Sequence, residues 1–190
     1  MNKIGYPQGA RPANVATGHF SGSRGQALEK DINDSNTWYR ENGKALIYKK
    51  PTPVQVVSVD YPKRSRARIT EAYYRTPSTT DYNGVYKGRY IDFEAKETKN
   101  ATSFPLAMIH PHQITHLEQV QVHGGIGFFI IRFIRHGKTF LVDAPCLIDK
   151  IHQTEHSSIP YAWFEQFGHV IHEGLYPRLA YLQAVDALYF

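Results

Sequence analysis

Apolar side chains recur at helical spacing in the segment from residue 24 to residue 41. Leu28, Ile32 and Tyr39 fall on one face of this segment, which is the pattern of a helix that packs against a core on one side. Gly43 follows the segment and is the residue type that most often ends a helix. The pattern therefore predicts a helix over residues 24–41.

Strands are predicted in the middle of the chain, where β-branched and aromatic residues alternate with polar ones. The predicted segments are 45–48, 54–59, 69–74, 80–86 and 89–96. Lys87 and Gly88 form a two-residue connection between the last two segments, so we expect these two strands to form a hairpin.

The second half of the chain predicts a helix followed by a pair of strands. Pro111 suits the first turn of a helix that runs to Val122 and ends at Gly124. Residues 126–135 form a nearly continuous apolar run, which is typical of a strand buried on both faces. Residues 139–143 follow it after a turn, and two more helical stretches close the chain.

This order of elements predicts a single α/β (α+β) domain with a mixed central sheet flanked by helices. A length of 190 residues suits one domain, which we expect at residues 21–190. Residues 1–20 are rich in Gly, Pro and Asn and predict a flexible N-terminal arm. The single cysteine fits a reducing compartment. Neither a membrane span of about 20 apolar residues nor the apolar core of a signal peptide is present, so no membrane partner is expected.

Positive charge is concentrated in the middle of the chain. The formal net charge is +5, and residues 44–99 hold 12 of the 22 Lys and Arg residues. The densest run is 63–68, which has four basic residues and no acid. Such a patch fits a nucleic-acid partner, although charge alone is equally consistent with a solvated surface.

The residues with the clearest chemistry lie on the predicted hairpin at 80–96. Because side chains alternate across a strand, Asp92, Glu94 and Lys96 share one face. Asp81, on the partner strand, is expected to reach Glu94. Two carboxylates with retained waters are the ligands that Mg²⁺ prefers, and a nearby lysine can orient a nucleophile or offset charge in the transition state.

A Glu-x-Lys sequence alone is more typical of a solvent-exposed strand than of an active site. The hairpin, the aspartate on the preceding strand and the basic flanks favour a metal-dependent phosphodiesterase instead. His112 and His116 have the spacing of a zinc-binding pair, but no third ligand stands at a useful spacing.

The combination resembles the PD-(D/E)xK nuclease superfamily and, within it, the RecU family of Holliday junction resolvases. The resemblance runs from about residue 20 to the C-terminus, and residues 22–29, 81–84, 92–98 and 110–113 carry it. Thr80 stands where the superfamily name has proline.

The resemblance implies roles for individual residues. The implied catalytic residues are Asp81, Glu94 and Lys96, with Lys96 as the transition-state stabiliser. The implied ligands of Mg²⁺, for which Mn²⁺ can substitute, are Thr79, Asp81, Glu94 and Gln113. Thr79 and Gln113 are equally well explained as an ordinary strand residue and a helix-surface amide. Glu29 is implied as a further active-site acid, and a surface position on the helix explains it equally well.

The resemblance also implies a stalk, roughly residues 58–78, that is inserted in the nuclease domain and enters the open centre of a four-way DNA junction. The implied DNA contacts are Arg24, Lys63, Arg64, Arg66, Arg68 and Tyr74. An aromatic residue such as Tyr74 can stack on an unpaired base or pack across the strands.

The function implied in this way is an endonuclease that makes paired, symmetric cuts in Holliday junctions during homologous recombination and DNA repair. A homodimer suits the two-fold symmetry of a junction. The resemblance further implies a bacterial cytoplasmic protein that associates with the strand-exchange recombinase and the branch-migration machinery. A related nuclease acting on duplex or flap DNA and a non-catalytic DNA-binding recombination modulator remain the alternatives.

Overall fold

The computed structural model describes residues 26–62, 66–75 and 79–190. The predicted arm at residues 1–20 lies outside these ranges, as do three of the implied DNA contacts, Arg24, Lys63 and Arg64. No helix in the described ranges is long and apolar enough to cross a membrane.

The described ranges contain five α-helices and ten strands. The helices are α1 (Gln26–Glu41), α2 (Pro111–Val122), α3 (Ala144–Gln153), α4 (Tyr161–Phe167) and α5 (Tyr181–Tyr189). The strands are β1 (Leu46–Lys49), β2 (Val54–Asp60), β3 (Arg68–Tyr74), β4 (Tyr82–Tyr86), β5 (Arg89–Thr98), β6 (Ser103–Pro105), β7 (Ile126–Phe133), β8 (Lys138–Asp143), β9 (Ser158–Pro160) and β10 (His169–Val170).

Six of these strands form the central mixed sheet, in the order β1-β4-β5-β7-β8-β10. β5 and β7 are parallel, and the other neighbours in this sheet are antiparallel. The predicted α/β (α+β) class with a mixed sheet between helices is therefore confirmed.

Most of the predicted elements are present, with two corrections. Lys87 and Gly88 both have positive φ, 47° and 77°, as a two-residue hairpin turn requires. The strand β4 begins at Tyr82 rather than at Thr80, so Asp81 lies just before the strand and not on it. The prediction of two helices after the last strand pair was wrong, because α3, α4 and α5 are all present.

Apolar side chains cover both faces of the sheet. On one face, α1 and α5 pack against β5 and β7 through a cluster that includes Ile32, Phe93, Phe128 and Tyr181. On the other face, α2, α3 and α4 pack through a second cluster that includes Leu117, Phe129, Ile131, Leu147 and Phe164. Successive residues of β7 therefore belong to different cores, which confirms the prediction that its apolar run is buried on both faces.

The strands β2 and β3 form a separate hairpin. Within the described ranges they pair with each other and with no other strand. Almost every residue of both strands is exposed. The extent of the stalk within the domain, which was predicted at roughly residues 58–78, stays a prediction.

Candidate active site

The open half of β5 creates the site. β5 is ten residues long, but its pairing with β4 stops where Phe93 meets Tyr82. β7, on the other side, continues alongside β5 as far as Thr98. Beyond Phe93, therefore, β5 has no strand neighbour on the β4 side among the described residues, and the chain segment that leads into β4 lies there instead.

Asp81, Glu94 and Lys96 meet at this place. The Asp81 backbone N–H donates to Glu94 Oε2 at 3.1 Å, and Lys96 Nζ lies 2.7 Å from Glu94 Oε1. Glu94 Oε1 is buried, and within the described part of the chain its charged neighbour is the Lys96 ammonium. The sequence predicted that Asp92, Glu94 and Lys96 would share a face, and the structure brings Asp81 to the same place.

Glu94 is held in an unfavourable environment for a carboxylate. Its residue exposure is 1%. Burial, reinforced by the nearby Asp81 and opposed by Lys96, raises the pKa of Glu94 to about 8. A cation bound beside Glu94 and Asp81 would offset both destabilising influences.

The strands behind the site are joined by a stack of aromatic rings. Tyr82, Phe93 and Phe128, on three adjacent strands, stack with ring centroids 4.9 and 4.7 Å apart. These rings are fully buried on the α1 side of the sheet, so close packing on the opposite face supports the strand that carries Glu94.

A cleft runs beside Asp81 and contains Glu29. One part, about 400 Å³, is lined by Glu29, Lys49, Thr79 and Asp81 among others. A second part, about 300 Å³, is lined by Glu29, Asp81 and Lys96 among others. Glu29 Oε2 accepts from Lys49 Nζ at 2.5 Å. Lys49 could not be selected from local patterns, because its contact is with a residue 20 positions earlier in the chain.

The other two implied metal ligands have different surroundings. Thr79 is partly buried and lines the cleft. Gln113 is buried near the start of α2, and its side-chain oxygen accepts a hydrogen bond from His110 N at 2.9 Å, as part of a capping box. The alternative prediction of a helix-surface amide was wrong, because Gln113 is 5% exposed and its side chain bonds to the residue that caps its own helix.

Asp92 differs most from the expectation. The sequence predicted that it shares one face of the strand with Glu94 and Lys96. It is fully buried and surrounded by side chains from other elements, including Lys50 and His116. These partners lie 42 and 24 residues away in the chain, so no local pattern could have indicated them.

The described part of the implied DNA surface is exposed. Arg66, Arg68 and Tyr74 lie on or next to the β2–β3 hairpin, and Tyr74 is 77% exposed. Tyr74 faces Val54 across the hairpin. No group of three or more His, Cys, Asp or Glu side chains in the described ranges is arranged to hold a metal ion, so metal binding at the site would rest on Asp81 and Glu94 with oxygens of other kinds.

Comparison with known proteins identifies relatives over almost the whole chain. The model of the RecU family, described as Recombination protein U, matches residues 23–187. The Holliday junction resolvase RecU of Geobacillus thermodenitrificans is 57% identical over 171 residues, which is 88% of this chain and 85% of that protein. The proteins of the same name from Shouchella clausii and Oceanobacillus iheyensis are 52% and 50% identical, and the matches cover 99% and 98% of this chain and 89% and 100% of theirs.

Among solved structures, the Holliday junction resolvase Hjc of Archaeoglobus fulgidus matches 77% of this chain and 95% of its own. The TM-score is 0.45 and the sequence identity is 11%. This is a distant likeness.

Proposed function

Since this chain belongs to the RecU family, we propose that it is a divalent-metal-dependent endonuclease that resolves Holliday junctions by paired, symmetric cuts in homologous recombination and DNA repair. The observation that carries the catalytic part of the proposal is the buried Glu94 carboxylate, which is joined to Asp81 N and lies 2.7 Å from Lys96 Nζ. The relatives that match most of this chain are named Holliday junction resolvases, which supports the choice of substrate.

The residues present fit a divalent cation. The buried carboxylate of Glu94 and the adjacent carboxylate of Asp81 supply acidic oxygen donors, and burial together with the nearby Asp81 raises the pKa of Glu94. Mg²⁺ takes one or two carboxylates and keeps several waters or phosphate oxygens, which suits a pair of acids of which Asp81 lines the cleft. Bound there, Mg²⁺, or Mn²⁺ in its place, would polarise the scissile phosphate.

The remaining functions, metal binding and stabilisation of the transition state, are assigned to side chains of this protein. Glu94 and Asp81 would hold the cation, and Lys96, which lies beside Glu94, would offset the charge that develops on a phosphate oxygen during cleavage. Thr79 is proposed as a further ligand at the mouth of the cleft. Gln113 is proposed as a ligand that would share its oxygen with His110 N, and Glu29 would act through water from α1.

DNA binding is assigned to the basic hairpin and the cleft. Arg24, Lys63, Arg64, Arg66 and Arg68 are proposed to contact phosphates, and Tyr74 to stack on a base at the branch point. Two symmetric cuts need two active sites, so we assign the active form to a homodimer. Association with the strand-exchange recombinase and the branch-migration machinery, in the bacterial cytoplasm, is part of the same proposal.

The experiment that tests the proposal compares three DNA substrates. Mobile four-way junctions, flaps and linear duplexes of matched sequence are incubated with the protein, with and without Mg²⁺. Preferential, symmetric cutting of the junction in Mg²⁺ is the expected result. Equal cutting of flap or duplex would indicate a related nuclease with a different substrate, and binding without cutting under all conditions would indicate a non-catalytic DNA-binding modulator.

A further inference from the structure

Asp92 is the centre of a buried polar cluster on the active-site face of β5. Its carboxylate is fully buried. It accepts hydrogen bonds from Lys50 Nζ at 2.7 Å, from the Tyr90 hydroxyl at 2.6 Å and from the Thr80 hydroxyl. His116 Nε2 on α2 lies 3.0 Å away. The cluster thus joins α2 and β5 to the two chain segments that follow β1 and precede β4.

Two members of the cluster hold the backbone beside Asp81. Thr80 is the residue directly before Asp81. Lys50 contacts this segment twice, because its backbone N–H donates to the Asp81 carbonyl at 2.7 Å and its Nζ reaches the Thr80 hydroxyl at 2.9 Å. The segment that contains Asp81 is therefore held in two ways. The Asp81 carbonyl bonds to Lys50, the Thr80 hydroxyl bonds to Asp92, and Lys50 itself contacts the same buried carboxylate.

We propose that Asp92 is a positioning residue for the active site: through Thr80 and Lys50 it holds Asp81 at the correct separation from Glu94 to share one metal ion. The inference rests on the proposed function, because it needs a metal at Asp81 and Glu94. Asp92 does not touch DNA or metal itself, since it is fully buried and its oxygens are already occupied by four neighbouring groups.

The physical reason lies in the position of Asp81 outside the strand. Asp81 precedes β4, so the regular sheet ladder does not fix its side chain, whereas Glu94 is held within β5. A ligand on an irregular segment needs supporting contacts to keep its geometry, and groups that orient metal ligands in this way typically contribute 10- to 100-fold in metal affinity or activity. A buried carboxylate with several donors provides such support because moving any one donor would leave a buried charge poorly paired.

The test uses Thr80→Val, which removes the hydroxyl at nearly constant volume. Thr139→Val is the matched control, since Thr139 is also buried and its hydroxyl accepts from Arg132 Nε at 3.0 Å, but it lies on β8, away from Asp81. Mn²⁺ binding is measured by calorimetry, cutting is measured against Mg²⁺ concentration, and junction binding is measured in EDTA.

Positioning predicts that Thr80→Val weakens Mn²⁺ binding and raises the Mg²⁺ concentration for half-maximal cutting by about tenfold or more. Part of the rate returns at saturating Mg²⁺, and junction binding in EDTA stays unchanged. Thr80→Ser, which keeps the hydroxyl, restores the metal dependence, and Thr139→Val leaves it at the wild-type value. Asp92→Asn and Lys50→Met act in the same direction as Thr80→Val and cover the case in which that variant folds poorly.

Unchanged Mn²⁺ affinity in folded Thr80→Val and Lys50→Met would overturn the inference, as would an equal loss in Thr139→Val. These results differ from failure of the proposed function. In that case the wild-type protein would cut no DNA in Mg²⁺, while the calorimetric comparison of Mn²⁺ binding would still decide whether Thr80 supports a metal site.

Discussion

The backbone N–H of Asp81 donates a hydrogen bond to the buried carboxylate of Glu94, 3.1 Å away and 13 residues later in the chain. This bond places the two acids side by side at the point where β5 extends beyond β4. It also means that one oxygen of Glu94 already has a donor, while the other faces Lys96. The two oxygens of Glu94 therefore have different neighbours, the Asp81 backbone N–H on one side and the Lys96 ammonium on the other.

Asp81→Asn should reduce cutting of a four-way junction by a factor of about 10³ or more while leaving junction binding largely intact. The neutral amide keeps the shape of the side chain but is a poor metal ligand. Cleavage rates in Mg²⁺ and binding in EDTA are the measurements. Asp149→Asn, at an exposed position on α3, is the control. Wild-type cutting by Asp81→Asn would show that the metal ligands are elsewhere.

Lys96→Ala should also abolish cutting with little change in junction affinity, because the ammonium is used more in the transition state than in the ground state. A single-turnover assay at saturating protein separates the chemical step from binding. Lys99→Ala, at an exposed residue just past β5, removes the same charge outside the cleft and should cut normally. Near wild-type rates for Lys96→Ala would make the assignment wrong.

Glu94→Gln should stabilise the metal-free protein at pH 8. The pKa of Glu94 is raised from the ordinary value near 4.5 to about 8 in the folded state, so the folded state binds the extra proton. Stability is then fully present below pH 4.5 and is lost as pH rises towards 8. The neutral amide avoids this loss, and each kcal/mol gained raises the melting temperature by about 2–4 °C.

Thermal unfolding in EDTA at several pH values measures this effect. The gap between Glu94→Gln and wild type should widen between pH 4.5 and 8, and Mg²⁺ should narrow it by stabilising the wild type alone. Glu41→Gln, at an exposed glutamate on α1, should show no such trend. A gap that is constant with pH would mean that Glu94 is not buried as an uncompensated acid.

Ca²⁺ should support junction binding without efficient cutting. It takes more ligands at longer distances and tolerates irregular geometry, whereas Mg²⁺ demands a regular octahedral arrangement. Binding and cleavage are compared in Ca²⁺, Mg²⁺ and EDTA on the same labelled junction. Rapid cleavage in Ca²⁺ alone would contradict the assignment of a Mg²⁺ site.

Replacing Lys63, Arg64, Arg66 and Arg68 together with alanine should weaken junction binding more than duplex binding. The physical reason is that the hairpin is proposed to enter the open centre of the junction. The slope of log affinity against log salt should fall by the equivalent of up to about four phosphate contacts. Salt titrations with four-way and linear DNA provide the measurement.

Two controls test whether this variant keeps its fold and whether the loss of net charge alone weakens binding. Arg66 and Arg68 are exposed, so the melting temperature should be unchanged. A second variant replaces the exposed Lys44 and Arg135 on the main body. Its loss of DNA affinity per positive charge removed is compared with that of the hairpin variant. Equal losses on junction and duplex would show that the hairpin is a general phosphate-binding surface.

Local patterns predicted the parts of the fold whose cause is local. The Lys87–Gly88 turn, the helix that begins at Pro111 and the doubly buried strand β7 all depend on residues that are close in sequence. The hairpin also placed Glu94 and Lys96 on one face, because that follows from strand alternation alone.

The parts that could not be predicted depend on distant contacts. Asp92 and Glu94 have the same alternation and are both buried, yet Asp92 is enclosed by Lys50 and His116, whereas Glu94 lies next to Asp81 and Lys96. The difference arises because α2 and the residue after β1 pack against Asp92. The sequence of β5 alone does not indicate where these two segments pack. Gln113 was expected as a metal ligand or as a helix-surface amide. The structure shows it buried, with its side chain used locally in a capping bond to a residue three positions back, and its role as a metal ligand stays a prediction.

The two ends of the β2–β3 hairpin connect to the main body beside the proposed active site. Lys50 lies between β1 and β2, and Thr79 to Asp81 lie between β3 and β4. The Lys50 N–H donates a hydrogen bond to the Asp81 carbonyl, so the segments on either side of the hairpin are joined to each other. The hairpin is therefore attached to the main body next to Asp81, the proposed metal ligand. If the hairpin binds DNA as proposed, a pull on it would reach Asp81 within a few residues of the chain.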